Sequence, residues 1–151
     1  DLIVEKMLSQ DLFSQWLNIK LIYIKAGECK LQLQVTSEMT NGFKIAHGGV
    51  CFSLADSCLA FAANAKGNIA LTKESTIKYF RKVEDGETLF AHGFEKKSRE
   101  GTYQVNVTNQ NKENVAEFIG LIHYTSSKWS EGQFRFGFKK THYNNHKRKS
   151  L

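Results

Sequence analysis

The apolar residues at the start of the chain recur at mixed intervals of three and four, the spacing that places side chains on one face of an α-helix. They are Leu2, Ile3, Met7, Leu8, Phe13, Trp16 and Leu17. The pattern predicts an amphipathic helix at the N-terminus.

Beyond this segment the hydrophobic period changes from helical spacing to two. Leu21 and Tyr23 alternate with other residues, and Leu31, Leu33 and Val35 do the same after the turn-like triplet at residues 26–28. Alternation on both sides of a glycine-containing turn is typical of a β-hairpin. The pattern therefore predicts two paired strands.

The longest apolar stretch, residues 48–65, predicts a helix that is apolar on most sides. After it, alternation returns in four runs separated by turn-forming residues, at about 69–80, 87–97, 102–108 and 115–125. A helix of this kind has to be covered, and a curved antiparallel sheet wrapped around it is the economical solution. The chain is therefore predicted to fold as an α+β domain.

Length and charge divide the chain into a domain and a tail. A chain of 151 residues with 41% hydrophobic content suits one globular domain. Residues 126–151 hold seven Lys or Arg against one Glu, which leaves residues 1–125 neutral with 14 of each sign. We interpret 126–151 as a basic aromatic extension, or alternatively as an edge strand at Phe134, Phe136 and Phe138.

Cysteine usage and hydropathy favour a cytoplasmic protein. Cys29, Cys51 and Cys58 form no metal-ligand or disulfide pattern, which indicates reduced thiols and no metal site. No basic-then-apolar leader is visible. The apolar run at 45–65 is interrupted by polar residues and a Gly-Gly pair, so we do not expect it to span a membrane.

Asp56 is the only formally charged residue between Lys44 and Lys66, in the middle of the predicted helix. One explanation is a solvated stripe, because Ser53, Asp56, Ser57, Ala60 and Asn64 fall on one helical face. The small size of these residues instead fits a face packed against a close neighbour. Loss of hydration there would raise the pKa of the carboxyl group, and carboxylates perturbed in this way are candidates for function.

The helix is preceded by His47, and Gly48 and Gly49 form its first turn. Glycines at this position let a ligand approach the backbone closely. The free N–H groups and the dipole at a helix N-terminus favour negative charge, as on a developing oxyanion.

The separation of these two features along the helix suggests a shared site. Asp56 lies eight residues beyond Gly48, which corresponds to roughly 12 Å along the helix axis. A homodimer with two such helices antiparallel about a two-fold axis would bring Asp56 of one chain near Gly48 of the other.

Three segments carry a resemblance to a known family: Asn41-Gly42, Ala46-His47-Gly48-Gly49 and Phe52-Ser53-Leu54-Ala55-Asp56. At these spacings they resemble the hot-dog fold acyl-CoA thioesterases, most closely the phenylacetic acid degradation (PaaI-like) branch. The resemblance covers about residues 11–125. This chain departs from the family after Phe80-Arg81, where the family usually has a proline and this chain has none.

The resemblance implies a helix wrapped by an antiparallel sheet, homodimers commonly paired into tetramers, and hydrolysis of acyl-CoA thioesters without metal. Coenzyme A would be part of the substrate, and no other cofactor is expected. By position, Asp56 corresponds to the general base or nucleophile and Gly48 to the N–H that polarises the thioester carbonyl. Asn41 and His47 correspond to polar residues that contact the thioester or hold the turn.

The resemblance also suggests where the substrate is held. Gly49, Ser75 and Arg81 are expected substrate contacts, and the candidates for binding the coenzyme A phosphates are Arg81, Lys82, Lys96, Lys97 and Arg99. An aryl or fatty-acyl pocket could be lined by Phe43, Phe52, Phe61 and Tyr79.

Two other functions stay open at this point. A hot-dog hydratase or dehydratase would pair an acid with a histidine such as His47, since fold does not fix chemistry. The other is a non-catalytic protein, either an acyl-CoA binder or a nucleic-acid-associated protein that uses the basic aromatic tail. Nucleic acid is not expected as a partner, because most short basic extensions are simply solvated.

Overall fold

The computed structural model of the protein describes residues 1–131. The last strand ends at Lys128, a little beyond the predicted domain boundary at residue 125. The rest of the predicted extension, including Phe134, Phe136 and Phe138, lies outside the described residues.

The described residues form three α-helices, six β-strands and a short 3-10 turn at Ser37–Met39. The helices are α1 (Leu2–Gln10), α2 (Leu12–Trp16) and α3 (Gly48–Asn64). The strands are β1 (Lys20–Lys25), β2 (Glu28–Gln34), β3 (Asn68–Tyr79), β4 (Thr88–Glu95), β5 (Thr102–Thr108) and β6 (Asn114–Lys128).

The N-terminal segment forms two helices instead of the predicted one. Asp1 caps α1 by accepting a hydrogen bond from the N–H of Ile3, and Asp11 caps α2 by accepting from the N–H of Ser14. An N-cap residue has non-helical dihedral angles, so Asp11 interrupts the helix although the hydrophobic spacing continues past it.

The six strands form one antiparallel sheet in the order β1-β2-β4-β5-β6-β3, and α3 contacts every strand of it. Ten of the 17 residues of α3 are buried, which explains why the helix is apolar on most sides. The predicted α+β fold, with a long helix packed on an antiparallel sheet, is confirmed.

Two glycines of the sheet let α3 approach closely. A Cβ atom at Gly120 of β6 would overlap Leu59 Cδ1, and one at Gly93 of β4 would lie 3.0 Å from Cys58 Sγ. Interiors packed at native density do not absorb such atoms without moving their neighbours. The position of α3 therefore depends on glycine at both places.

We expect Gly120→Ala to lower the free energy of unfolding by about 1–3 kcal/mol, because the new methyl group overlaps Leu59. Leu59→Ala in the same chain removes the overlap, so the double variant should lose less stability than the two single variants together. Urea denaturation measures all three. Gly42→Ala is the control, because a Cβ there meets nothing within 4 Å. Additive losses in the double variant would contradict the close contact.

Candidate active site

The N-terminus of α3 is capped by the side chain of His47. Its Nδ1 atom accepts a hydrogen bond of 2.9 Å from the N–H of Gly49. Because Nδ1 accepts, the proton of the neutral ring sits on Nε2. Of the two roles predicted for His47, the observed contact is the one that holds the turn.

The carbonyl group of the same peptide unit is held by β3. The hydroxyl of Tyr79 donates to the carbonyl oxygen of Gly48 at 2.9 Å, and a Cβ atom at Gly48 would lie 3.1 Å from that hydroxyl. Burial raises the pKa of Tyr79, with a smaller contribution from Cys51, which keeps the phenol a donor. The peptide between Gly48 and Gly49 is thus fixed at its N–H by His47 and at its C=O by Tyr79.

The N–H of Gly48 is left free by this arrangement. Within residues 1–131 it has no hydrogen-bond acceptor, and Gly48 is exposed. The preceding carbonyl, of His47, accepts from the N–H of Val50 at 2.9 Å, so the orientation of the free N–H is set by the helix itself. A free and oriented N–H at a helix N-terminus is a donor for an incoming carbonyl oxygen.

Asn41 builds the loop that leads to this turn. Its Oδ1 accepts from the N–H of Phe43 at 2.9 Å, and its backbone N–H donates to the carbonyl of Ile45 at 2.8 Å. Lys44 in this loop has a positive φ of 60°. The side-chain oxygen of Asn41 is therefore engaged in holding the loop.

A cavity of about 410 Å³ borders Gly48. It is lined by Asn41, Ile45, Ala46, His47, Gly48, Cys51, Tyr79, Phe80, Arg81, Lys82 and Val83. Burial raises the pKa of the Cys51 thiol to about 11, so this thiol is protonated and unreactive at neutral pH. The cavity therefore offers backbone and basic groups and no activated nucleophile of its own.

Asp56 is half-buried and lies against β3. The hydroxyl of Thr72 donates to Asp56 Oδ1 at 3.2 Å. Burial raises the pKa of Asp56, and the bond from Thr72 opposes the shift in part. The direction agrees with the effect expected from lost hydration. In the part of the chain described, Asp56 lines neither of the two cavities that His47 borders.

The face of α3 around Asp56 is partly covered, because Ser53, Asp56, Ser57 and Ala60 are half-buried and Asn64 is buried. Ser57 Oγ lies 3.0 Å from Ser14 Oγ of α2. At the other end of α3 the buried side chain of Asn64 exchanges two hydrogen bonds with the backbone of Ala70. The small residues of this face let α2 and β3 lie directly on the helix.

The predicted substrate contacts are distributed unevenly. Arg81 lines the cavity and its Nη2 lies 2.5 Å from Glu113 Oε2, with Lys82 beside it. Ser75 is half-buried on β3 and lines neither cavity, whereas Lys96 and Lys97 border a separate depression near the β1–β2 turn. The structure thus brings Arg81, Asn41, His47 and Gly48 together and leaves Ser75 apart.

The aromatic residues predicted to line an acyl pocket are mostly elsewhere. Phe61 is buried in the core, Phe52 packs edge-on against Phe118, and Phe43 is 86% exposed. Of the four predicted aromatic residues, only Tyr79 borders the Gly48 cavity. The contacts of Thr72 and Tyr79 to α3 were not predicted, because a strand's alternation does not identify which helix residue it meets.

A β-bulge in β3 also escaped the sequence pattern. The register against β6 shifts between Thr72 and Glu74, which changes the phase of the alternation along this strand. Strict alternation therefore does not predict which β3 side chains share a face.

Two further observations concern the described residues. No three His, Cys, Asp or Glu side chains among residues 1–131 gather closely enough to hold a metal ion. None of the helices in that part of the chain combines the length and apolar character needed to cross a bilayer.

Comparison with known proteins identifies the family. A profile of the thioesterase superfamily matches residues 43–116, the segment that contains Gly48, Asp56, Thr72 and Tyr79. The acyl-coenzyme A thioesterase PaaI of Escherichia coli K12 is 34% identical over 119 residues, which span 78% of this chain and 85% of that protein. The chain belongs to the thioesterase superfamily. It is a thioester hydrolase related to PaaI.

Solved structures agree with this assignment. The structure of the E. coli PaaI protein, described as coming from the phenylacetic acid degradation operon, has a TM-score of 0.79 at 31% identity and covers 83% of this chain and 93% of its own. A Streptococcus mutans protein bound to acetyl-CoA has a TM-score of 0.69 at 27% identity. The match covers 74% of this chain and 91% of that protein. The predicted hot-dog fold is confirmed for this thioesterase.

The His47 cap of the thioesterase can be tested directly. His47→Ala removes the acceptor for the N–H of Gly49 and should cost about 1 kcal/mol in the free energy of unfolding, while His47→Asn supplies another acceptor and should cost less. Amide exchange at Gly49 should quicken in the alanine variant alone. Equal exchange in both variants would show that the imidazole does not cap the helix.

The raised pKa of Asp56 has a consequence for stability. The folded thioesterase binds this proton more tightly than the unfolded chain, so stability falls as pH rises from the ordinary Asp value of 3.8 through the raised one. Asp56→Asn keeps an acceptor for Thr72 and removes the charge. We expect its Tm to exceed that of the wild type by a few degrees at neutral pH.

The gain from Asp56→Asn should shrink as the pH falls from the raised pKa towards 3.8, and it should be lost below 3.8, where Asp56 is protonated in both states. Asp85→Asn removes a charge of the same sign from an exposed turn and is the matched control. Melting curves at several pH values measure the effect. A gain that is the same at every pH would contradict the desolvation of Asp56.

Proposed function

We propose that this protein hydrolyses acyl-CoA thioesters, with Asp56 as general base or nucleophile and the N–H of Gly48 polarising the thioester carbonyl. The observation that carries the proposal is the free N–H of Gly48 at the start of α3, in a residue that lines a cavity with basic residues at its border. The name of the E. coli relative and the acetyl-CoA bound to the S. mutans protein support coenzyme A as the carrier.

Polarisation by Gly48 follows from its fixed geometry. As the carbonyl carbon becomes tetrahedral, negative charge develops on its oxygen, and a donor already oriented toward that charge costs no reorganisation. His47 and Tyr79 hold the adjacent peptide, so the first turn cannot rotate away from the substrate.

Asp56 supplies the base. Its raised pKa makes the carboxylate a better proton acceptor than an exposed aspartate. The carboxylate takes a proton from water, the water oxygen bonds to the carbonyl carbon, and the C–S bond breaks. The coenzyme A thiolate leaves and takes the proton held by Asp56, giving free acid and thiol and restoring the carboxylate. Direct attack by the carboxylate, forming an anhydride that water then opens, is the alternative role.

The reaction requires two subunits. Asp56 lines neither cavity at the start of its own helix. Among the described residues, β3 is a 12-residue edge strand next to α3, and none of residues 1–131 pairs with its outer edge, which suits pairing with a second copy. An antiparallel arrangement about a two-fold axis places Asp56 beside Gly48 of the partner subunit, and two such dimers form a homotetramer.

The phosphates of coenzyme A are assigned to Arg81 and Lys82, since these are the charged residues of the Gly48 cavity within the described chain. Gly49 and Ser75 are further proposed contacts, and no metal or additional cofactor is needed. The acyl group is aryl or fatty, and the origin of the E. coli relative makes phenylacetyl-CoA the first aryl substrate to assay. The free, buried cysteines fit a cytoplasmic location.

A hydratase that uses His47 is less well supported. Nδ1 of His47 is engaged by Gly49, so only Nε2 is left for proton transfer. Thiol release, absent from hydration, distinguishes the two reactions in every assay below.

The role of the Gly48 N–H can be isolated with proline. Proline is tolerated at the first position of a helix, and His47 already has the extended conformation that precedes proline, with φ −57° and ψ 138°. Gly48→Pro removes the N–H and should lower kcat for acyl-CoA hydrolysis by about 10²–10³-fold.

Gly48→Ala is the control for that variant. It adds the same Cβ atom near Tyr79 and keeps the N–H, so it should retain most of the activity that proline abolishes. Thiol release from aryl-acetyl, short and long acyl-CoAs measures both. Equal activity of the two variants would remove Gly48 from the mechanism.

Hybrid dimers test the shared site. Asp56→Ala and Gly48→Pro chains should each be inactive alone. Co-expressed with different tags and purified through both, the hybrid has one site with both groups intact, and about half of wild-type activity is expected. An inactive hybrid would place Asp56 and Gly48 of one chain in the same site, contrary to the proposal.

A further inference from the structure

A second cavity, of about 510 Å³, is also bordered by His47. Its apolar wall consists of Phe13, Trp16, Leu17, Met39 and Val50. Its polar lining consists of Asn18, Gln34, Thr36, Glu38, Thr40, His47, Gly49 and Ser53. His47 borders both cavities, and Gly49, which lines the second, directly follows Gly48, which lines the first, so both cavities lie beside the proposed site of the thioester carbonyl.

The aromatic wall is fixed to α3. Ser14 of α2 is fully buried, and its hydroxyl donates to Asp11 Oδ2 at 2.5 Å and lies 3.0 Å from Ser57 Oγ of α3. The rings of Phe13 and Trp16, on the same helix, have centroids 6.1 Å apart. The wall of the cavity is thus built before any ligand arrives.

The aromatic side chains leave much of their apolar surface uncovered. Phe13 is 52% exposed and Trp16 is 74% exposed, although both border the cavity. Exposed apolar surface next to a cavity is typical of a binding groove. A ligand with an apolar portion would remove this surface from water.

The two cavities differ in charge. Among the described residues, the second contains one carboxylate, Glu38, and no Lys or Arg, whereas the first contains Arg81 and Lys82 and no Asp or Glu. Arg81 and Lys82 are paired with Glu113 and Glu84, which lie outside the cavity lining. The first cavity still presents the cationic groups to the anionic coenzyme A portion, whereas Glu38 in the second repels it. An acyl group without charge is suited to the second.

We propose that the second cavity binds the acyl portion of the substrate, and that Phe13 and Trp16 make the enzyme selective for uncharged aryl or medium-chain acyl groups. This assignment rests on the proposed acyl-CoA hydrolysis. It replaces Phe43, Phe52 and Phe61 as the aromatic residues of the acyl pocket.

The first experiment compares acetyl-CoA, octanoyl-CoA and phenylacetyl-CoA. Trp16→Ala and Phe13→Ala should lower kcat/KM for the two larger substrates by about tenfold and leave acetyl-CoA nearly unchanged. Leu12→Ala is the matched control, because Leu12 lies on the same helix at 75% exposure and does not border the cavity. Equal effects on all three substrates, or none, would overturn the assignment.

The second experiment tests the charge of the cavity. Wild-type enzyme should hydrolyse succinyl-CoA poorly compared with the uncharged butyryl-CoA, because Glu38 repels the free carboxylate. Glu38→Gln should reduce this discrimination several-fold. Discrimination that is unaltered in Glu38→Gln would show that the succinyl carboxylate does not reach this cavity.

A binding measurement separates this proposal from that of hydrolysis. The thioether S-octyl-CoA cannot be hydrolysed, and it should bind the wild type more tightly than coenzyme A alone, as measured by calorimetry. Trp16→Ala should lose most of that difference and Leu12→Ala should keep it. If the protein shows this binding pattern but releases no thiol from acyl-CoA, the acyl pocket is supported and the proposed hydrolysis is rejected. No difference between the two ligands would reject the pocket even in an active enzyme.

Discussion

The packing of α3 against the sheet is the constraint on which the rest of the structure depends. Gly93 and Gly120 remove the side chains that would keep the helix away, and Leu59 and Cys58 occupy the space. Because the helix is held so closely, its first turn has a fixed position relative to β3. The free N–H of Gly48 owes its orientation to this packing as much as to its own sequence.

The site combines a stabilised turn with a destabilised carboxylate. His47 and Tyr79 satisfy the peptide between Gly48 and Gly49, and within residues 1–131 the N–H of Gly48, which lines the cavity, is left without an acceptor. Asp56 is half-buried, and a single hydroxyl, that of Thr72, only partly compensates it. Such a carboxylate costs folding stability, and its retention is understandable when a proton acceptor is required.

How much of this site the sequence could predict depends on how far apart along the chain the interacting residues lie. Asp56 and Gly48 were identified because a charge in an apolar helix and glycines at its start are local anomalies. The contacts of Tyr79 with Gly48 and of Thr72 with Asp56 join residues 31 and 16 positions apart, and local periodicity carries no information about them. The break between α1 and α2 was missed because an N-cap at Asp11 leaves the hydrophobic spacing intact.

By itself, the sequence determined the fold class and every helix and strand except the break between α1 and α2: two hydrophobic periods, one apolar helix and turn residues between strands are sufficient for an α+β domain. It also determined the chemical nature of the helix terminus. The tertiary structure alone decided that Phe61 and Phe52 belong to the core, and that Phe13 and Trp16 border a cavity beside His47. The physical reason is that burial depends on which surfaces meet after folding, and a hydrophobic residue has the same sequence signal in a core and in a binding site.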